Sequence, residues 1–431
     1  MPKPQRKGKK LLPKPGLVHK AAWMTASRVL GMASGAAGAV WVARCLGPKN
    51  LGLSGMVQNL VFQAAVLFAA LSPTLLVREY KHSPDEGARN RLIRTTYGFR
   101  LLTAVGLCLA AVPILVLHLV PPDYQRVGWL FLPNLLLLSL QPAWIFQAAE
   151  KQQFQSLLAL FQPLLTALFY FGLIRPGMSA GADLLVITAV TTVVTTAYWV
   201  AVYRLTPFQG SFCSFQNLGE AWALAVKSRW LFLSMLAIYV YTLLEQPFLG
   251  WLRPIEELGR YRTAVRVTDA VNATLTLIPV LLFPRFIEWR KEGEKVLWKH
   301  QGRLLGLFGI GGAAAAALGF LVIPACYPFV FGPGFESAGL PCVLLVTSKI
   351  VVLVSGVYGW GLLTDHCFDH KVCLATVATA VFSLGCNLFL IPRFGMMGAS
   401  LTNLASELLI LGLFLWLSVA RYRKVSSKGR A

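Results

Sequence analysis

The stretch LGPKNLGL at residues 46–53 recurs, lengthened, as LGWLRPIEELGRY at residues 249–261, and this recurrence decides how the chain is organised. Both copies hold one frame: Leu-Gly, a proline, then Leu-Gly again. A second pair recurs in the same order, GMSAGA at 177–182 and GMMGA at 395–399. The offsets are 207 residues from Gly52 to Gly259 and 218 from Gly177 to Gly395. Glycine and proline are common in turns, so neither match decides alone. Two matches in register indicate an internal duplication into two lobes of one plan.

The segments between these turns are apolar. Of 431 residues, 56% are hydrophobic and only 13% charged, with a mean hydropathy of +0.61. Soluble domains carry about 25% charged residues, so the composition is that of a membrane protein. A helix rising 1.5 Å per residue needs roughly 20 residues to cross a bilayer. Runs of that length fall near 21–43, 53–77, 97–118, 128–148, 155–174, 183–203, 222–245, 264–284, 304–325, 339–362, 372–391 and 396–420. The expected fold is therefore all-α and polytopic, with about twelve transmembrane helices. Pro142, Pro163 and Pro279 inside the runs predict kinks.

The net charge of +22 would raise the question of nucleic acid in a soluble protein. Here Lys and Arg cluster in short connections, and no nucleic-acid module is recognisable. With the N-terminal side assigned as cytoplasmic, 28 of the 40 basic residues fall on that face and 8 on the other. That bias predicts both termini inside. The outer connections are too short for a catalytic domain. The longest inner one, 286–303, alternates Trp and Leu with Lys, Arg and Glu, as a helix in the headgroup plane would. Six spans per half is an even number, so the halves insert in the same orientation, related by a pseudo-two-fold along the membrane normal. The expected division is a basic tail (1–20), an N-lobe (21–208), a C-lobe (209–420) and a second basic tail (421–431), the tails being suited to anionic lipids. The eight cysteines are scattered without a CxxC pair, so no metal knuckle or disulfide framework is expected. The run TDHCFDHK (364–371) packs its ligand-type residues too tightly in sequence to close a metal site unaided. Trp41, Trp129, Trp144 and Trp416 stand at span ends, where interface anchors belong.

Four segments in order carry a family resemblance: ARCLGPKNLGLSG (43–55), PAWIFQAAEK (142–151), VFGPGFESAG (330–339) and NLFLIPRFGMMGASLTNLASE (387–407). Along nearly its whole length the chain resembles the polysaccharide-biosynthesis flippases of the multidrug/oligosaccharidyl-lipid/polysaccharide exporter superfamily. The resemblance implies a bacterial plasma-membrane protein that turns an undecaprenyl-pyrophosphate-linked oligosaccharide from the inner to the outer leaflet, for O-antigen or related surface polysaccharide. It implies no enzyme activity. Its implied partners are the lipid-linked oligosaccharide and the polymerase or glycosyltransferases of the same route. The family usually has Asp in span seven where this chain has Glu245.

Four basic residues lie inside spans: Arg28, Arg100, Arg266 and Lys349. A charge at bilayer depth is expensive and faces protein, a cavity or, by snorkelling, the headgroups. Arg28 has small neighbours (Ala26, Ser27, Gly31, Ser34, Gly35, Gly38), which predicts cavity lining; snorkelling is the alternative. Arg266 and Asp269 are three apart on one helix face, and the lipid II branch of the superfamily carries a comparable pair there. The pair reads either as a clamp on substrate phosphate or as a structural intrahelical ion pair. Lys349 is deep in span ten, whereas Arg100 suits leaflet anchoring as well as a cavity. These five form the candidate substrate site. Glu245, ahead of Glu407, is the candidate acid for H⁺ or Na⁺ coupling; no other cofactor and no metal is expected. A multidrug exporter would want acids in the cavity. A glycosyltransferase or polymerase would need a sizeable outer loop.

Overall fold

The computed structural model describes residues 15–428 apart from 72, 118–121, 228, 276 and 364–368. Among the described residues every regular element is helical. Helix α1 (Pro15–Ala65) carries the first two spans and bends at Gly47, where φ is 70°. That backbone region suits glycine, and Pro48 follows it. A 3₁₀ turn (Val66–Ala70) and α2 (Pro73–His82) complete span two. Next come α3 (Glu86–Val116), α4 (Pro122–Gly128), α5 (Phe131–Ser139), α6 (Ala143–Ala148), α7 (Gln152–Leu173) and α8 (Ala180–Leu205). The second half holds α9 (Leu218–Lys227), α10 (Arg229–Leu243), α11 (Glu245–Leu252), α12 (Ile255–Leu275) and α13 (Leu277–Glu292). It ends with α14 (Glu294–Phe331), α15 (Gly339–Leu363), α16 (Asp369–Phe394) and α17 (Met396–Lys428).

Eight helices among the described residues are long and apolar enough to cross a bilayer. One of them, Val29–Phe68, contains the Gly47 bend and supplies two spans. Of the other three expected spans, four and seven are broken into α5/α6 and α10/α11, while span eight comprises α12 and α13, between which residue 276 lies outside the described residues. Proline sets these breaks. Pro142 separates α5 from α6, while Pro247 stands third in α11. A proline is accommodated in the first turn because its missing N–H has no helical partner there. Pro163 sits inside α7 without breaking it. Broken backbone at membrane depth is tolerated where it is packed in protein or lines a cavity, which already points to these spans.

The two halves repeat one packing scheme. Helix α7 packs on α1 as α16 packs on α10; α3 on α5 as α14 on α15. Likewise α5 and α6 pack on α8 as α15 packs on α17, and α7 on α8 as α16 on α17. The duplication read from the turns is thus a structural one. The lobes meet chiefly along α1 and α12, and there the repeated turns face each other. A Cβ on Gly52 would overlap the Ile255 carbonyl oxygen and stand 3.1 Å from the Gly259 nitrogen. A Cβ on Gly259 would overlap the Pro48 carbonyl oxygen and stand 3.0 Å from the Gly52 nitrogen. Pro48 and Ile255 are themselves 207 residues apart, so the contact is close to symmetric.

The outside of the bundle is apolar. On α14, Ile310, Leu321 and Phe329 are each more than three-quarters exposed (77%, 77% and 82%), as lipid-facing residues are. Residues 286–303 do not make a separate surface helix: they are the facing ends of α13 and α14, joined at Gly293 (φ 124°). Phe286 and Leu297 are buried between them, and Trp289 stacks on His300 with ring centroids 4.3 Å apart. Trp144 is no interface anchor either. It is buried against Tyr80, and the segment 142–151 is a structural knot: Phe146 meets Tyr198, Lys81 bonds Glu150 at 2.8 Å, and Lys151 donates to the Leu205 carbonyl. The hydrogen bond and charge from Lys81 hold the Glu150 carboxyl below its usual range.

Replacing Gly259 by Ala should lower stability by about 1–3 kcal/mol, the usual penalty for overpacking. Gly302→Ala, where a Cβ meets open space, should leave it unchanged or slightly higher. Thermal unfolding in detergent reads both; equal midpoints would show that the α1–α12 contact can part freely.

Candidate functional site

Two cavities flank the line where α1 meets α12. One, about 680 Å³, lies in the N-lobe among α1, α5, α7 and α8, with Gly35, Ala39, Asn134, Gln162 and Thr191 in its wall. The other, about 580 Å³, lies in the C-lobe among α10, α11, α12, α15 and α17, walled by Glu245, Arg262, Asn272, Lys349 and Asn403. Gln58 and Phe62 of α1, and Arg266 and Asp269 of α12, line both. Those four residues form the ridge between the basins.

Arg266 stands half-buried on that ridge and makes no hydrogen bond or ion pair among the described residues. Asp269, one turn on, is exposed to the cleft and within Coulombic range of Arg266 and Lys349. The two share a face as their spacing predicts, yet they do not close into an ion pair. Lys349, also half-buried, faces three acids: Glu245, Asp269 and Glu407 all feel its charge. Glu245 is buried at the α10–α11 break, where its carboxylate accepts from Tyr261 Oη at 2.9 Å and Asn403 Nδ2 at 3.1 Å. Glu407 is buried on α17 and lines neither cavity.

Arg262, one turn before Arg266, is the lobe connector. It is buried and donates to the Leu51 carbonyl and Ser54 Oγ, both at 3.3 Å, and to Gln58 Oε1. Gln58 Nε2 in turn donates to Asp183 Oδ2 at 3.2 Å, and Tyr170 Oη donates to Asp183 Oδ1. This chain of bonds runs from α12 through α1 to α8 and α7. Gly55 makes room for it, since a Cβ there would overlap the Arg262 side chain. The one available signal for Asp183 and Tyr170 was that of an acid near the start of an apolar span, which marks a buried partner.

Arg100 lies away from both cavities. It is buried, donates to the Leu71 carbonyl at 3.1 Å and sits 5.8 Å from the Tyr97 ring centroid. Its position secures the break in span two rather than lining the cleft. The Arg28 side chain lies outside the described residues; along α1 it stands four residues before Met32, which lines the N-lobe cavity. The small residues near it serve two ends. Gly31 and Gly38 admit Pro163, Ala167 and Tyr170 of α7, while Gly35, Ala36 and Ala39 line the cavity. The histidine-rich loop falls largely outside the described residues, among which no His, Cys, Asp and Glu group could hold a metal.

The sequence profile described as "Polysaccharide biosynthesis protein" matches residues 17–289. An Escherichia coli (strain K12) protein named "Putative O-antigen transporter" is 22% identical over 389 residues, 87% of this chain and 90% of the relative. Among solved structures, "Lipid II flippase MurJ, inward closed conformation" superposes with a TM-score of 0.71 at 11% identity, covering 95% of this chain and 90% of that one. An inward-facing multidrug-resistance MATE transporter gives 0.65 at 14% identity, with 94% and 99% covered. At such identities the structural likeness is one of fold alone.

Arg262→Met should cost about 1–2 kcal/mol, as for interhelical hydrogen bonds in a bilayer, and lower the thermal midpoint in detergent. Arg266→Met, which breaks no bond, should leave that midpoint unchanged. Equal losses in the two variants would make Arg266 a structural residue.

Proposed function

The chain belongs to the polysaccharide biosynthesis protein family, and from that premise we propose that it is a flippase. Its substrate is an undecaprenyl-pyrophosphate-linked oligosaccharide, moved from the inner to the outer leaflet of a bacterial plasma membrane by alternating access, for surface polysaccharide export. The observation that carries this reading is the unpartnered Arg266 on the ridge between two cavities, with Lys349 across the C-lobe basin. A guanidinium held at membrane depth without a direct ion pair or hydrogen bond is set to receive an anion from a ligand, and its planar fork suits a phosphate. The chain is a multi-pass transporter and not an enzyme.

The basic-residue bias supports cytoplasmic termini and places the α1–α12 glycine contact toward the outer face. The cleft then opens inward, where the headgroup is made. Arg28, Arg266, Asp269 and Lys349 are its proposed contacts; Arg100, buried on the Leu71 carbonyl outside both cavities, is not among them. Glu245, at a helix break and bonded to α12 and α17, is the acid suited to link lobe position to H⁺ or Na⁺. The basic tails suit anionic lipids and a polymerase or glycosyltransferase that hands over or receives the substrate. The acids of the C-lobe basin favour a second reading, a cation-coupled multidrug exporter, in which the ligand is cationic and Arg266 is an obstacle.

Purified protein in vesicles holding a fluorescent short-chain lipid-linked disaccharide should speed its reorientation. Arg266→Ala should slow it about tenfold or more, the worth of a lost charged hydrogen bond, at unchanged protein level. Absence of any protein-dependent reorientation, or faster efflux of an organic cation by the Arg266→Ala variant, would favour the exporter.

A further inference from the structure

We propose that the two basins divide the substrate between them, and that the N-lobe cavity is the site that binds the sugars. This rests on the flippase reading and adds to it a location and a set of specificity-determining residues.

The cavities differ in chemistry. Every charged residue described in the N-lobe cavity wall, Arg266 and Asp269, comes from α12 of the other lobe and stands on the shared ridge. The N-lobe's own described lining carries no charge. Its polar groups are amides and hydroxyls, among them Gln58, Asn134, Gln162, Tyr170 and Thr191. The C-lobe basin instead holds Arg262, Lys349 and Glu245 besides the ridge pair. A sugar hydroxyl both donates and accepts one hydrogen bond or more, and a side-chain amide offers both functions in return. A diphosphate only accepts, and wants cations. Each half of the ligand thus finds its matching chemistry in a different lobe, with Arg266 at the join.

Several of these amides are already engaged. Asn134 Nδ2 donates to Thr188 Oγ1 and to the Leu130 carbonyl at 2.8 Å, and Gln141 Nε2 donates to Thr195 Oγ1 at 3.2 Å. Gln58 belongs to the lobe connector. Gln162 differs. It is exposed to the cavity, and its amide makes no hydrogen bond among the described residues. Thr191, on α8, is buried in the lining, and its hydroxyl likewise has no partner among the described residues. Gly35, Ala36 and Ala39 keep the α1 wall low between them. The volume, about 680 Å³, falls in the ~300–1,000 Å³ range of pockets that enclose small ligands. The competing occupant is the polyprenyl tail, which the apolar part of the lining (Val57, Val61, Leu138, Ile187) would also accept.

The test is binding of two probes to the purified full chain in lipid nanodiscs: farnesyl diphosphate, and a farnesyl-diphosphate-linked disaccharide. Gln162→Leu and Thr191→Val keep shape and remove polar function. Both should weaken the disaccharide probe about tenfold, with farnesyl diphosphate within twofold of wild type. Arg266→Ala should weaken both probes. If the variants leave the disaccharide probe unaffected, or change both probes equally, the sugar assignment falls and the flippase reading stands. Equal tightening of both by Gln162→Leu would assign the cavity to the tail. If the wild type binds neither probe, the flippase reading falls and takes this inference with it.

Discussion

Backbone touches backbone where Gly52 meets Gly259, and most of the architecture is arranged around that contact. Two helices can approach so closely only where neither carries a side chain, and the duplicated turn supplies one glycine from each lobe. Because Pro48 faces Gly259 while Ile255 faces Gly52, each lobe offers the other the same carbonyl-over-glycine fit. One turn farther along, Gly55 leaves just the space that Arg262 fills. Beyond Gln58 the side chains on the two helices turn into cavities instead of toward each other. The cleft therefore begins where the glycines stop.

That geometry sets which polar groups are satisfied. Buried polar atoms in a bilayer need partners within the protein, because no water or lipid headgroup reaches them. Arg262 finds three oxygens, Asp183 two donors and Glu245 three hydrogen bonds from two side chains. Arg266 differs from its neighbour one turn earlier in having none. Four residues separate a connector that fastens the lobes from a cation that faces open space. The difference is position relative to the glycine contact: Arg262 is inside it, Arg266 past it.

Much of the fold was legible in the chain because hydropathy and the repeated turns report directly on span length and duplication. The apolar runs located the spans, and the offset of 207 residues pointed to the duplication whose turns meet at Gly52 and Gly259. Helix continuity was less legible: Pro163 sits inside α7 and Pro142 breaks a span, although both are prolines in apolar runs. Which outcome follows depends on whether a neighbour lies against the freed carbonyl, and that is tertiary information. The site was legible in part. Arg266, Asp269, Lys349 and Glu245 stood out as charges at depth, and the structure places all four in cavity walls. Arg100 stood out on the same grounds but packs on the Leu71 carbonyl, since depth alone does not distinguish a helix-break partner from a ligand contact. Gln58, Asn134 and Gln162 were silent, because an uncharged amide in an apolar span is too common to signal a site.

The duplication also shows where the two lobes stopped being alike. At the offset of 207 residues, Asn59 corresponds to Arg266 and Phe62 to Asp269. Equivalent positions on the two ridge helices thus carry neutral residues on one side and an opposite-charged pair on the other. A duplicated scaffold that kept identical ridges would present two equal basins, suited to a ligand with equal ends. The ridge pair lines both basins, so what polarises the cleft is the C-lobe wall, where Arg262, Lys349 and Glu245 add charges that the N-lobe wall lacks. The scaffold's symmetry lies in the glycine contact and the packing scheme, and its asymmetry in the charges of the ridge and of the C-lobe wall.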